Sequence, residues 1–191
     1  MGQYYKAVNV DNGEWMNAHP YDAGLKLMEH SYTGNNFVCA VKKLLSPGGP
    51  WHKARIVWAG DYGEMRWEDV AKDEVTEFAS ALAGEEGVLY NTEKCHKLEP
   101  PEHLTDPEDK FLVNHTKKMF ISYARVAKAT AVSWSIDPLP LLTSNGNGCG
   151  DGDYHGVHED QCGSWAADSI SIEESPPDGF DEIKTIFKED Y

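Results

Sequence analysis

Four side chains of the types that bind zinc crowd into one short stretch: Cys149, His155, His158 and Cys162, spaced C-x5-H-x2-H-x3-C. Thiolates and imidazoles suit a tetrahedral zinc ion, although the C-x2-C half-site of the common zinc modules is absent. The same stretch carries oxygen ligands of the kind calcium takes, Asn145, Asn147, Asp151 and Asp153. Cys149 interrupts that series, and the twelfth position counted from Asn145 is Gly156, where an EF-hand loop closes with glutamate. Anion binding is the third chemistry. Five of the 17 glycines lie in residues 143–156, and glycine-rich backbone can turn several amides toward a phosphate. Asp151 and Asp153 would repel that phosphate unless a cation sat between them.

Two further places offer complementary groups. The run Asn114-His115-Thr116-Lys117-Lys118 presents imidazole and ammonium donors that can hold a phosphate or carboxylate. Asp61, in Gly60-Asp61-Tyr62-Gly63, follows a strand-like run, and ligands gather beyond strand ends. Each feature also has a plain structural reading: a surface loop, a solvated hairpin tip, a turn aspartate bonding its own backbone. Catalysis has thinner support. There is no GxSxG or HExxH, and His155 or His158 beside Asp151 or Asp153 is the one general-base pairing on offer.

Period-two alternation predicts strands on both sides of the loop, with Val132, Trp134 and Ile136 before it and Ile170 and Ile172 after it. Residues 3–10 read as a first strand, and Asp11-Asn12-Gly13 turns it into a hairpin with 14–17. Phe37, Val38, Val41, Leu44 and Leu45 recur at helical spacing over 36–45, with Asn35 or Asn36 as cap and Ser46-Pro47-Gly48-Gly49-Pro50 as stop. His30, just before that helix, reads as structural. Residues 54–59, ARIVWA, predict a buried strand, and 67–82 an amphipathic helix ended by Gly84. Residues 87–91 read as a short strand and 93–109 as a proline-punctuated acidic connection. FLV and MFISYARV, on either side of the NHTKK island, predict a hairpin over 111–126.

The opening MGQYYKAVN, the central NHTKK, and LPLLTSNGNGCGDGDYHG with GSWAADSISIE resemble a family of uncharacterised bacterial and phage-associated proteins. The resemblance implies a bacterial or viral cytoplasmic setting and no particular activity.

The formal charge is −15 over 191 residues, unevenly spread: net +2 over 1–60, −10 over 61–110, +4 over 111–135 and −11 over 136–191. Affinity for duplex nucleic acid comes from neutralising phosphates, so so acidic a chain is not expected to bind it directly. Four cysteines and no export or membrane-spanning pattern predict reduced thiols, a cytoplasmic setting and no membrane partner.

These observations predict one α+β domain over 1–175, a mostly antiparallel sheet of five to seven strands with two or three helices packed on it. Residues 176–191 follow as an acidic tail or short docking helix carrying Phe180, Ile183 and Phe187. The expected function is binding of a small, nucleotide-like ligand by Asp61, His115, Lys117, Asn145, Asn147, Asp151, Asp153 and Tyr154. On that reading, Asp151→Ala with Asp153→Ala removes binding and leaves the melting temperature nearly intact. The alternatives are an acidic inhibitor or immunity-type protein covering a basic partner, and a hydrolase using zinc or calcium at the loop.

Overall fold

A computed structural model describes residues 1–70, 88–130, 136–155 and 159–184, with side chains throughout except at 127–130. The strands are β1 (Tyr5–Asn9), β2 (Glu14–Asn17), β3 (Arg55–Gly60), β4 (His96–Lys97), β5 (Phe111–Asn114), β6 (Met119–Ser122), β7 (Ser144–Asn145), β8 (Asp168–Glu173) and β9 (Asp181–Glu182). They form one sheet in the order β4-β2-β1-β3-β8-β5-β6-β9, with β7 also paired to β3. The pairs β2–β4, β3–β7 and β6–β9 are parallel and the others antiparallel. Among the described residues five short α-helices accompany it: α1 (Leu27–His30), α2 (Asn36–Leu45), α3 (Trp67–Val70), α4 (Tyr123–Thr130) and α5 (Pro138–Thr143). The class is α+β with a mostly antiparallel sheet, as expected, and with more strands than expected. No helix among the described residues is long and apolar enough to cross a membrane.

The central strand explains its own composition. Ile56 and Trp58 of β3 point into the larger core with Phe37, Val38, Val41 and Leu45 of α2, while Val57 and Ala59 join Val8, Val10, Trp67, Val70 and Leu89 on the opposite face. A strand covered on both faces has no polar side to present, so IVWA reads as an unbroken apolar run. Asn35 caps α2 through its Oδ1, which accepts from the backbone N–H groups of Phe37 and Val38. Replacing such a cap by alanine typically costs about 1 kcal/mol.

His30 is structural. Its Nε2 accepts from Trp58 Nε1–H at 2.8 Å and its Nδ1 donates to the Gly24 carbonyl at 2.9 Å, which fixes the neutral tautomer. Burial brings its pKa down to about 4. An unfolded histidine, titrating near 6.5, takes up the proton first, so stability is lost as the pH falls from there toward the folded value. We expect a loss of roughly 2 kcal/mol between pH 7 and pH 4.5 from this group. Urea denaturation across that range measures it, as the part of the pH dependence that His30→Gln removes.

The structure departs from the sequence expectation in several places; at 88–91 the expected short strand is a single bridge from Val88 to Arg66 followed by a turn. The strand predicted over 119–126 stops at Ser122 and continues as helix α4, where Tyr123 and Val126 are buried one helical turn apart. The segment entering the loop is helix α5, capped by Asp137, rather than a strand; Ile136 makes an isolated bridge to Tyr32, and residues 131–135 lie outside the described ones. The chain after Pro177 pairs as β9 beside β6 instead of forming a helical turn, and Phe187 lies outside the described residues, as does most of the helix predicted over 67–82.

Candidate ligand cleft at the glycine-rich loop

The loop is anchored at the same edge of β3 that carries β8. Arg55 and Ile56 pair with Ser169 and Asp168, and Trp58 and Ala59 pair with Ser144 and Asn145, so β7 delivers the chain to the end of β3. From there the loop folds on its own side chains. Asn147 Oδ1 accepts from Tyr154 N–H at 2.8 Å and its Nδ2 donates to the Tyr154 carbonyl at 3.0 Å, closing the loop as two paired strands would. Asp153, 4 % exposed, accepts at Oδ2 from the N–H groups of Gly148 and Gly150 at 2.9 and 2.8 Å and at Oδ1 from Tyr5 Oη–H at 2.9 Å. Burial and this carboxylate hold the Tyr5 phenol far above its ordinary pKa.

Close approach explains the glycines better than phosphate binding does. The buried Gln3 side chain lies beneath the loop, its backbone N–H donating to the Asp151 carbonyl. A Cβ at Gly150 would stand 2.5 Å from Gln3 Cβ, and one at Gly146, where φ is +100°, would stand 2.4 Å from Gln3 Nε2. No L side chain fits either place without displacing Gln3.

A cleft of about 390 Å³ opens beside this braced loop, walled by Ser144, Asn145, Asn147, Glu159, Cys162 and Gly163 among others. Asn145 Oδ1 accepts from Met65 N–H at 3.2 Å, and its Nδ2 takes no partner among the described residues. Glu159 is exposed, with its Oε1 3.7 Å from where a Gly148 Cβ would stand. Burial, then Glu159 and Asp160, push the Cys162 thiol up to about 12, so it stays protonated at neutral pH. The walls therefore offer a donor, a carboxylate and backbone. A larger groove of about 630 Å³ lies between the Ser46–Pro50 turn and residues 101–110. Its lysines are already engaged: Lys43 Nζ donates to the Glu102 and His103 carbonyls, and Lys110 pairs with Glu174 at 2.7 Å.

Of the residues expected to bind ligand, Asn145 and Asn147 line the cleft. Asp153 and Tyr154 are buried in the loop's scaffold, and Asp151 is exposed with an ion pair to Lys26 at 3.3 Å. Asp61 sits in the turn after β3, its Oδ1 accepting from Tyr4 N–H at 3.1 Å. His115 and Lys117 stay at the β5–β6 hairpin. Lys117 Nζ meets Asp168 at 3.0 Å and the Ser164 carbonyl. His115 Nε2 bonds Ser171 Oγ at 2.7 Å beside Glu173, its ring edge-on to Phe180 at 5.8 Å, and burial lowers its pKa. The cationic hairpin is thus spent on β8 and does not reach the loop.

The metal quartet does not assemble among the described residues. Cys149 and His155 are exposed, Cys162 is half-buried, His158 lies outside the described residues, and no group of three or more His, Cys, Asp or Glu side chains there is placed to hold an ion. The physical reason is the loop's internal bracing: the Asp153 staple and the Asn147 clamp fix the backbone with Cys149 turned to solvent. Those same bonds occupy the Asn147 and Asp153 oxygens that calcium would need. Glu159, Gln3 and Tyr5 are the participants the sequence reading passed over. No family model, curated protein or solved structure matches this chain.

Proposed function

We propose that this is a binding protein whose small polar ligand lodges in the cleft between the loop and the turn carrying Glu159, Cys162 and Gly163. The observation that carries this reading is a loop braced from within, so that Asn145 presents its amide on a wall already ordered, with the exposed Glu159 carboxylate on the same lining. Preorganised walls spare a ligand the entropy of ordering them. The described lining holds one carboxylate and no basic side chain, which favours a neutral or cationic ligand over a phosphate-bearing one. The hydrolase alternative is less well supported, because Asp153 has its oxygens committed to Gly148, Gly150 and Tyr5. Cover for a basic partner rests on the acidic charge alone.

Native mass spectrometry of protein purified without chelator or metal-affinity tag tests the reading. A stoichiometric small-molecule mass is expected, and Glu159→Gln should weaken its retention about tenfold, since a lost charge-assisted hydrogen bond is worth about 1.5–3 kcal/mol. Because Glu159 is exposed, the melting temperature should stay within about 1 °C of the parent. A bare mass, followed by no thermal shift with panels of amines, amides and sugars, would rule out this cleft.

A further inference from the structure

One polar group in the interior is placed for a reaction between its own members. Lys42, on α2, and Asp137, at the start of α5, have no exposed side-chain surface, and Lys42 Nζ lies 2.5 Å from Asp137 Oδ2. Nζ also donates to Asp106 Oδ1 at 2.8 Å. The contact with Asp137 lacks hydrogen-bond geometry, for Oδ2 is left without a hydrogen bond among the described residues. The Tyr123 ring, centred 3.9 Å from Nζ, limits where the amine can move.

The other carboxyl oxygen of Asp137 is well supplied with donors. Oδ1 accepts from Leu139 N–H at 3.0 Å and from the Tyr123 hydroxyl at 3.3 Å. An amine against one side of a carboxyl group and two donors on its far oxygen are the parts of a nucleophile and an oxyanion hole. Burial lifts the Asp137 carboxyl above its ordinary pKa. Burial works against the Lys42 ammonium too, but the two carboxylates outweigh it. The pair thus rests as ions in a site closed to water, where two charges are costly and a neutral amide is not.

We infer that Lys42 and Asp137 join in an intramolecular amide bond made by the folded chain itself, with Asp106 as proton carrier. The ammonium first passes a proton to Asp137 Oδ2 across the 2.5 Å contact. The Nζ lone pair then attacks Asp137 Cγ, and the carbonyl electron pair moves onto Oδ1, between Leu139 N–H and the Tyr123 hydroxyl. Asp106 takes a proton from the now positive nitrogen and delivers it to Oδ2, which leaves as water while the carbonyl re-forms. A C–N bond is made, a C–O bond is broken, and Asp106 ends as the carboxylate it began as. Holding amine and carboxyl together in the fold replaces the concentration such a condensation would need in water. The freshly folded chain holds the ion pair, and the bond accumulates from it. The product is a covalent clasp between α2 and the start of α5.

Intact-mass spectrometry of the denatured parent chain, just after refolding and again after days at neutral pH, tests the inference. The mass should fall by that of one water, and a digest should yield a branched peptide joining Lys42 to Asp137. Asp106→Asn should slow the loss at least about tenfold, and Tyr123→Phe, which keeps the ring and removes the hydroxyl, about tenfold. Lys42→Arg keeps the charge and cannot form this amide, so its mass should not change. An unchanged parent mass would overturn the inference. So would a water loss that maps to Asp151-Gly152 or Asp178-Gly179, where an aspartate can cyclise onto the following backbone nitrogen, or a branched peptide joining Lys42 to Asp106.

Discussion

Asp153→Ala is expected to destabilise the chain by about 3 kcal/mol in urea denaturation, one of the larger effects a single substitution can have here. Three donors lose a charged acceptor at once: the N–H groups of Gly148 and Gly150 and the phenol of Tyr5. Tyr5 is 1 % exposed, so its hydroxyl cannot turn to water as a replacement. Gly146, Gly148 and Gly152, all at positive φ, gain conformational freedom when the staple goes, which offsets a small part of the loss. Asp151→Ala is the control. That carboxylate is exposed and its Lys26 partner is 27 % exposed, so a change within about 0.5 kcal/mol is expected. The double substitution would therefore test the scaffold before it tested any ligand, which reverses the expectation that both aspartates could be removed without thermal cost. If Asp153→Ala melts with the parent, the loop is not held by this carboxylate and its order must come from Asn147 and the chain's first residues.

The elements legible in the sequence were those in which one signal dominated. α2 had a cap, a helical apolar face and a proline-glycine stop. β1 and β2 had the Asp11-Asn12-Gly13 turn, and β3 had an apolar run too short for a helix. MFISYARV failed because its apolar positions fit both periods: residues 119–121 belong to a strand, while Tyr123 and Val126 already follow helical spacing. At α5 the order was local and readable, since Asp137 followed by Pro138 is an N-cap and first-turn pair, but six residues are too few for periodicity to show.

The loop was legible as a special place and not as a mechanism. Its residue types suggested outward-facing ligands, yet what turns Asp153 inward is Tyr5, 148 residues away, and what requires glycine at 146 and 150 is Gln3. Contacts across such separations are fixed by register, which residue spacing within the loop does not carry. His115 and Lys117 show the same limit. Their donors were expected to hold a ligand's anion; in the structure Lys117 meets Asp168 of the neighbouring strand, and His115 bonds Ser171 Oγ there.

Lys42→Met should cost about 3–5 kcal/mol, because it strips the counter-ion from a carboxylate that has no access to water. Lys42 and Asp137 are both 0 % exposed; Lys42 Nζ meets Asp137 Oδ2 at 2.5 Å and Asp106 Oδ1 at 2.8 Å, and lies 3.9 Å from the Tyr123 ring centroid. Asp137 also caps α5, accepting from Leu139 N–H at 3.0 Å, and receives the Tyr123 hydroxyl at 3.3 Å. One buried charge cluster thereby joins α2, α4, α5 and the acidic connection that bears Asp106. Burial opposes the charge on Lys42, but the two carboxylates outweigh it and raise its pKa above the ordinary value. A raised lysine pKa contributes stability that is complete at neutral pH and erodes only as the pH climbs through the folded value. The decisive comparison is the pair Lys42→Met with Asp137→Asn. Asparagine still caps a helix and carries no charge, so the double variant should recover more than half of what Lys42→Met loses. Strict additivity of the two losses in urea denaturation would show that the side chains do not interact, and would refute the cluster as the joint between these elements.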